Sequence, residues 1–115
     1  MREKEVVERF RRVSDKLFNK GLIDEGMEVR FLESSVRDSF ALTRACIPSM
    51  LLTEWVNVRE RWRSVIDKLW RTYQEKKLTP EEYDEFRQEI REAILIARNK
   101  VIPSILKEKC GCKVR

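Results

Sequence analysis

The segment Glu8–Phe18, ERFRRVSDKLF, returns as Glu60–Trp70, ERWRSVIDKLW, with seven of eleven positions identical and tryptophan standing in for both phenylalanines. A second echo, IPSML at Ile47–Leu51 and IPSIL at Ile102–Leu106, closes each half. A repeat of about 52 to 55 residues therefore fills nearly the whole chain. In the first half Val6, Phe10, Val13 and Leu17 stand three and four apart, and Val58, Trp62, Val65 and Leu69 do the same in the second. That spacing lines one face of a helix with apolar side chains.

The punctuation between these stripes predicts where helices stop and start. Gly21 takes the left-handed conformation at low cost, so the first helix should end there with Leu22 folding back on its last turn. Asp24 is the expected cap of the second helix. In the second half Thr79 caps, Pro80 suits the first helical position, Glu82 completes a capping box and Leu78 can staple onto Tyr83. Beyond a two-residue slip, Val29, Leu32, Val36 and Phe40 align with Tyr83, Phe86, Ile90 and Ile94, and Arg44 aligns with Arg98. Each copy reads as an αα-hairpin, which cannot bury its own apolar stripe. Pairing two of them gives the expected fold: all-α, a pseudo-two-fold four-helix bundle of two tandem αα-hairpin repeats, with a short C-terminal helical extension after Pro103. The expected organisation is one domain over 1–109 (repeat one about 3–51, repeat two about 55–106) and a flexible, basic, Cys-containing tail over 110–115. At Pro48 a tight turn, with Ser49 capping a helix from Met50, is favoured over one kinked helix from about residue 25 to 77.

The composition agrees with this class. Of 115 residues, 39% are charged and 42% hydrophobic, with only three glycines and three prolines to spend on loops. No apolar run approaches the roughly 20 residues of a membrane span, and Met1–Glu5 lacks the apolar centre of a signal peptide, so a cytoplasmic protein without a membrane partner is expected. Histidine is absent and Gln and Asn are scarce beside abundant Arg, Lys and Glu, a thermophile-like balance. The net charge is +5, carried by the first and third helices and the tail, while the second and fourth helices are acidic.

Two surfaces are candidates for function. Arg9, Arg12 and Lys16 on helix 1, with Arg61, Arg63 and Lys68 on helix 3, form a basic display suited to the backbone of DNA or RNA without base specificity. Local pairing with neighbouring acids, such as Glu8 with Arg12, is the competing explanation. The apolar run Ala93–Ala97 and its counterpart Phe40–Leu42 suggest a self-association or partner surface, with a dimer favoured. It would use Phe40, Ile94, Leu95 and Ile96, edged by Arg44 and Arg98. Trp55 has Glu3 at the equivalent position of the first copy, which makes it a candidate partner contact, whereas Trp62 and Trp70 replace Phe10 and Phe18 and are expected to pack.

Chemistry finds little footing. Without histidine a Ser or Cys nucleophile has no ordinary base, no glycine-rich loop cradles phosphate, and the carboxylates stand at surface or capping positions. No enzyme, cofactor, metal or small-molecule substrate is expected. Cys46, Cys110 and Cys112 are read as reduced, inert thiols, with a redox role, an intermolecular disulfide or a metal shared between subunits as alternatives. The leading expectation is a non-enzymatic basic helical protein that contacts nucleic acid or a nucleoprotein through helices 1 and 3. The alternative is an adaptor, inhibitor or structural homo-oligomer that uses the apolar surface of helices 2 and 4.

Overall fold

The computed structural model describes residues 2–111. Four helices follow one another: α1 (Glu3–Asn19), α2 (Ile23–Arg44), α3 (Pro48–Gln74) and α4 (Pro80–Ile96). No strand occurs among the described residues, and the helices pack into a bundle measuring 51 × 23 × 18 Å. The apolar stripes fill its centre. Val6, Phe10, Val13 and Leu17 of α1 meet Val29, Leu32, Val36 and Phe40 of α2, together with Val58, Val65 and Leu69 of α3 and Phe86, Ile90 and Ala93 of α4. Helix α1 packs on both α2 and α4, and α2 packs on α1 and α3. The α3 to α4 contact is much shorter.

One backbone motif turns the chain at the ends of α1, α2 and α3. The N–H of Gly21 donates to the Phe18 carbonyl and that of Leu22 to Leu17, both at 2.9 Å. Cys46 and Ile47 repeat the pattern on Thr43 and Leu42, at 3.0 and 3.3 Å, and Lys76 and Lys77 repeat it on Tyr73 and Thr72, at 2.9 and 3.1 Å. This double bond satisfies carbonyls that the helix itself cannot, and it requires a left-handed residue at the bend. Gly21, Cys46 and Lys76 accordingly have φ of 79°, 57° and 63°. The predicted end of α1 and the turn before Pro48 are thus both found. Thr79 forms the capping box with Glu82, its hydroxyl accepting from the Glu82 N–H at 3.0 Å while its own N–H donates to the Glu82 carboxylate at 2.9 Å. A hydrogen bond from Lys20 and the cap itself hold the Glu82 carboxyl below its ordinary range.

Two predicted caps are corrected. Helix α2 begins at Ile23 without a side-chain cap, so Asp24 sits inside its first turn, where with Glu25 it complements the positive end of the helix dipole. Helix α3 begins at Pro48, whose missing N–H costs nothing in the first turn, so no Ser49 cap is needed. Gly26 inside α2 has its own reason: a Cβ there would come within 2.4 Å of the Phe18 ring, which lies across it.

Beyond Ile96 the helical path continues through a π-helical stretch (Ala97–Val101), α5 (Ile102–Ile105) and a second π-helical stretch (Leu106–Cys110). In a regular α-helix the Pro103 ring would collide with the carbonyl of Asn99, and the first widened stretch lies at that point. This segment closes the end of the core with Val101, Ile102 and Ile105, packing on α2 and touching α1. A disulfide joins Cys46 to Cys110 across 64 positions of sequence, with Cα atoms 6.0 Å apart. The expectation of inert thiols is therefore corrected for this pair, and Cys110, assigned to a flexible tail, is buried in the fold. Cys112 and the rest of the tail fall outside the described residues.

Two outcomes follow for stability. Replacing Lys76 by Gly removes the steric cost of a left-handed bend, so the Lys76→Gly protein should be more stable by about 1 kcal/mol in urea denaturation. Removing the cross-link with Cys46→Ser and Cys110→Ser should destabilise by about 2–4 kcal/mol, because closing a long loop restricts the unfolded chain. Adding a reducing agent to the wild-type protein should reproduce that loss, and should leave the double variant unchanged.

Candidate functional site

The cations expected to bind nucleic acid fall on two separate faces. Helix α1 turns Arg9, Arg12 and Lys16 toward α4, where acids stand in register. Arg9 lies 3.7 Å from Glu89 and 3.4 Å from Glu92, Arg12 2.8 Å from Glu89, Lys16 3.3 Å from Glu85, and Lys20 2.7 Å from Glu82. The local Glu8 to Arg12 pairing gives way to this ladder between helices. On α3, Arg61 lies over the Phe31 ring at 5.3 Å, Arg63 is 3.8 Å from Glu60, and Lys68 is half-buried. Helices α1 and α3 stand diagonally in the bundle, so the six cations share no continuous surface.

The predicted apolar interface is divided as well. Phe40 is a correction: at 1% exposure it belongs to the core and offers nothing to a partner. Arg44 is drawn to Glu3 across the end of α1 and α2. Ile96 is half-buried against the core. Trp55, Ile94, Leu95 and Arg98, by contrast, come together on the walls of one groove.

That groove runs between α3 and α4. At the hairpin end the two helices are joined by an aromatic cluster, with Tyr73 and Tyr83 stacked at 5.2 Å and Trp70 5.8 Å from Tyr83. Toward the opposite end the contact opens. Trp55, Val58, Arg59 and Trp62 form one wall, Arg91, Ile94, Leu95 and Arg98 the other, around a cavity of about 270 Å³. Both indoles pack partly against the core and remain partly exposed. Outside the lining, α3 also exposes Leu52, 72% exposed and one turn before Trp55, and Val56, 53% exposed.

The electrostatics of the groove differ from the rest of the surface. Its lining contains three arginines and no acid, in a chain with 20 Asp and Glu residues. Among the described residues, Arg59, Arg91 and Arg98 make no ion pair, and Arg98 has only the side-chain oxygen of Asn99, at 3.2 Å. Four acids of α4 are turned to the other side, and Asp84 pairs with Arg87 at 3.6 Å, beyond the groove lining. Glu82, Glu85, Glu89 and Glu92 face α1, while Glu33 of α2 is buried between Arg11 and Arg37, at 3.2 and 3.5 Å. A planar guanidinium beside a partly exposed indole suits ligands that are both apolar and anionic.

Arg59, Arg91 and Trp62 were not among the predicted site residues. Their signal was present as spacing: Arg59 lies four residues after Trp55, and Arg91 lies seven before Arg98. Periodicity alone could not show that these two faces would confront each other, because that depends on which pair of helices separates.

Charge reversal can locate the seam and distinguish it from the groove. Glu89→Lys, which faces Arg9 and Arg12, should cost roughly 1–2 kcal/mol of stability, more than Glu89→Gln, and molar salt should narrow the difference. Arg91→Glu, with no acid paired to it, should change stability by less than about 0.5 kcal/mol. Comparison of the chain with protein-family models, curated proteins and solved structures returned no match.

Proposed function

We propose that this protein is a non-enzymatic binding module for another protein, and that its recognition surface is the α3–α4 groove. The observation that carries this reading is a cluster of partly exposed Trp55 and Trp62 beside three arginines that have no acidic partner among the described residues, in a bundle whose cations on α1 are mostly paired. Aromatic residues and arginine are the side chains that most often dominate protein interfaces. The cavity lies below the ~300–1,000 Å³ usual for an enclosed small-molecule site, which favours a larger partner lying along the groove.

Nucleic-acid binding through Arg9, Arg12, Lys16, Arg61, Arg63 and Lys68 is the weaker reading. The α1 cations would have to leave carboxylates on α4 before meeting phosphates. A two-fold dimer through the groove is disfavoured too, since it would set the same arginines against each other. The tandem duplication is the proposed origin of this asymmetry. Val6, Val13 and Leu17 are buried, as are Val58, Val65 and Leu69 at equivalent positions, yet buried Phe10 and Phe40 correspond to the groove residues Trp62 and Ile94. In this reading the second hairpin opened where the first stayed closed. The cross-link suits an oxidising compartment, or the disulfide-rich interior of a hyperthermophile, better than a reducing mesophile cytosol.

The groove can be tested with an aromatic sulfonate, 8-anilinonaphthalene-1-sulfonate, which is both apolar and anionic. It should bind the folded protein at one site with energy transfer from tryptophan, and binding should be lost in the Arg91→Glu, Arg98→Glu double variant. Arg12→Glu and Lys16→Glu should leave it unchanged. Equal binding to wild-type and groove variants would remove the groove as the recognition surface.

A further inference from the structure

Granting that the groove is the recognition surface, we infer that its occupant is an acidic amphipathic helix of a partner protein. The walls carry the evidence as a repeat. On α3 the lining residues Trp55, Arg59 and Trp62 are spaced four and three apart, and on α4 Arg91, Ile94 or Leu95, and Arg98 are spaced the same way. Seven residues are two helical turns, about 10.5 Å along an axis, so the indole recurs after two turns on α3 with Arg59 between, and the arginine recurs after two turns on α4 with Ile94 and Leu95 between. A partner with that period is another helix, laid lengthwise as in helix-in-groove recognition.

The chemistry of the walls specifies the partner's faces. Between Trp55 and Trp62 on one side and Ile94 and Leu95 on the other, the floor calls for aliphatic side chains at three-and-four spacing. The arginines stand beside this floor, in the flanking positions that set pairing by charge when helices associate, and there they call for Glu or Asp. Exposed Leu52, one turn before Trp55, extends that apolar side of α3 away from the aromatic cluster that blocks the other end. That extension suits a helix's continuous apolar stripe and has no use for a phosphate backbone. Much of each indole is already packed on the core, which leaves little ring face for stacking a base. A second copy of this chain does not supply the complement through its own groove, whose arginines would oppose these.

The test uses the full oxidised chain and a labelled synthetic peptide of about three heptads, the length at which an isolated helix begins to hold. The peptide has leucine at the two core positions of each heptad and glutamate at the flanking positions. It should bind at one site, gain helical circular dichroism on binding, and weaken about tenfold or more when Arg91 and Arg98 are both replaced by Glu, or when salt is raised to molar levels. The arginines are exposed and unpaired, so this variant tests binding without risking the fold. Trp62→Ala should also weaken the complex, provided its melting curve stays cooperative. A lysine version of the peptide should not bind, nor should a scrambled peptide of the same composition. Equal binding of the scrambled peptide would overturn the inference, because charge alone would then suffice. Stronger binding of oligothymidylate at the same residues would overturn it in favour of single-stranded nucleic acid. If the sulfonate occupies the groove and the acidic helix does not, the choice of partner is wrong and the groove stands. If neither binds the folded protein, both readings fall.

Discussion

The burial of the α1 stripe governs the rest of the structure. Val6, Phe10, Val13 and Leu17 are nearly inaccessible, and covering them takes two neighbours, α2 on one side and α4 on the other. Deep burial of four such side chains contributes on the order of 1.5–3 kcal/mol each, so few arrangements that uncover α1 could compete. Once α4 is committed to α1, it meets α3 properly only near the hairpin that joins them. The groove is what remains of the α3–α4 interface when α1 has first claim on α4. Its position is therefore a consequence of core packing.

Charge follows the same division. Glu82, Glu85, Glu89 and Glu92 of α4 lie on the flank that meets α1, each opposite a cation, and a half-exposed ladder of this kind adds modest stability at room temperature and more when hot. The one acid on the Arg91 and Arg98 stripe, Asp84, lies two turns before Arg91 and pairs with Arg87 at 3.6 Å. Among the described residues, Arg91 and Arg98 face a wall of tryptophan with no acid to neutralise them. On the first hairpin the corresponding problem is solved internally: Arg11 and Arg37 hold the buried carboxylate of Glu33, and Arg30 reaches Ser14 and Asp15 at 2.7 and 2.8 Å. Arg11, Arg30 and Arg37 thus end on acids or a serine, while the groove arginines Arg59, Arg91 and Arg98 end without an acidic partner among the described residues.

Much of this architecture was legible in the residues. Local rules suffice for a helix end, so Gly21, Thr79 and Glu82 identified theirs, and three-and-four spacing suffices for a buried face, so the core positions on α1, α2 and the far half of α3 were readable. Three features depended on tertiary geometry. The partner of Arg12 is on α4, 77 positions away, while the sequence offers Glu8 one turn below. The pairing of Cys46 with Cys110 follows from the path of the C-terminal segment after Pro103, which no spacing encodes. Phe40 and Ile94 align when the two halves of the sequence are compared, yet only Ile94 reaches solvent, because the difference lies in how far each pair of helices separates.

The link between Cys46 and Cys110 has a topological result. Residues 46 to 110 form one closed covalent ring that contains both walls of the groove, with α1 and α2 attached to it as a single arm. A protease that cuts once anywhere inside the ring, for instance in the connection after Gln74, leaves a nicked molecule whose two fragments stay bonded. The walls would then keep their covalent tether at the open end even after losing the one at the hairpin.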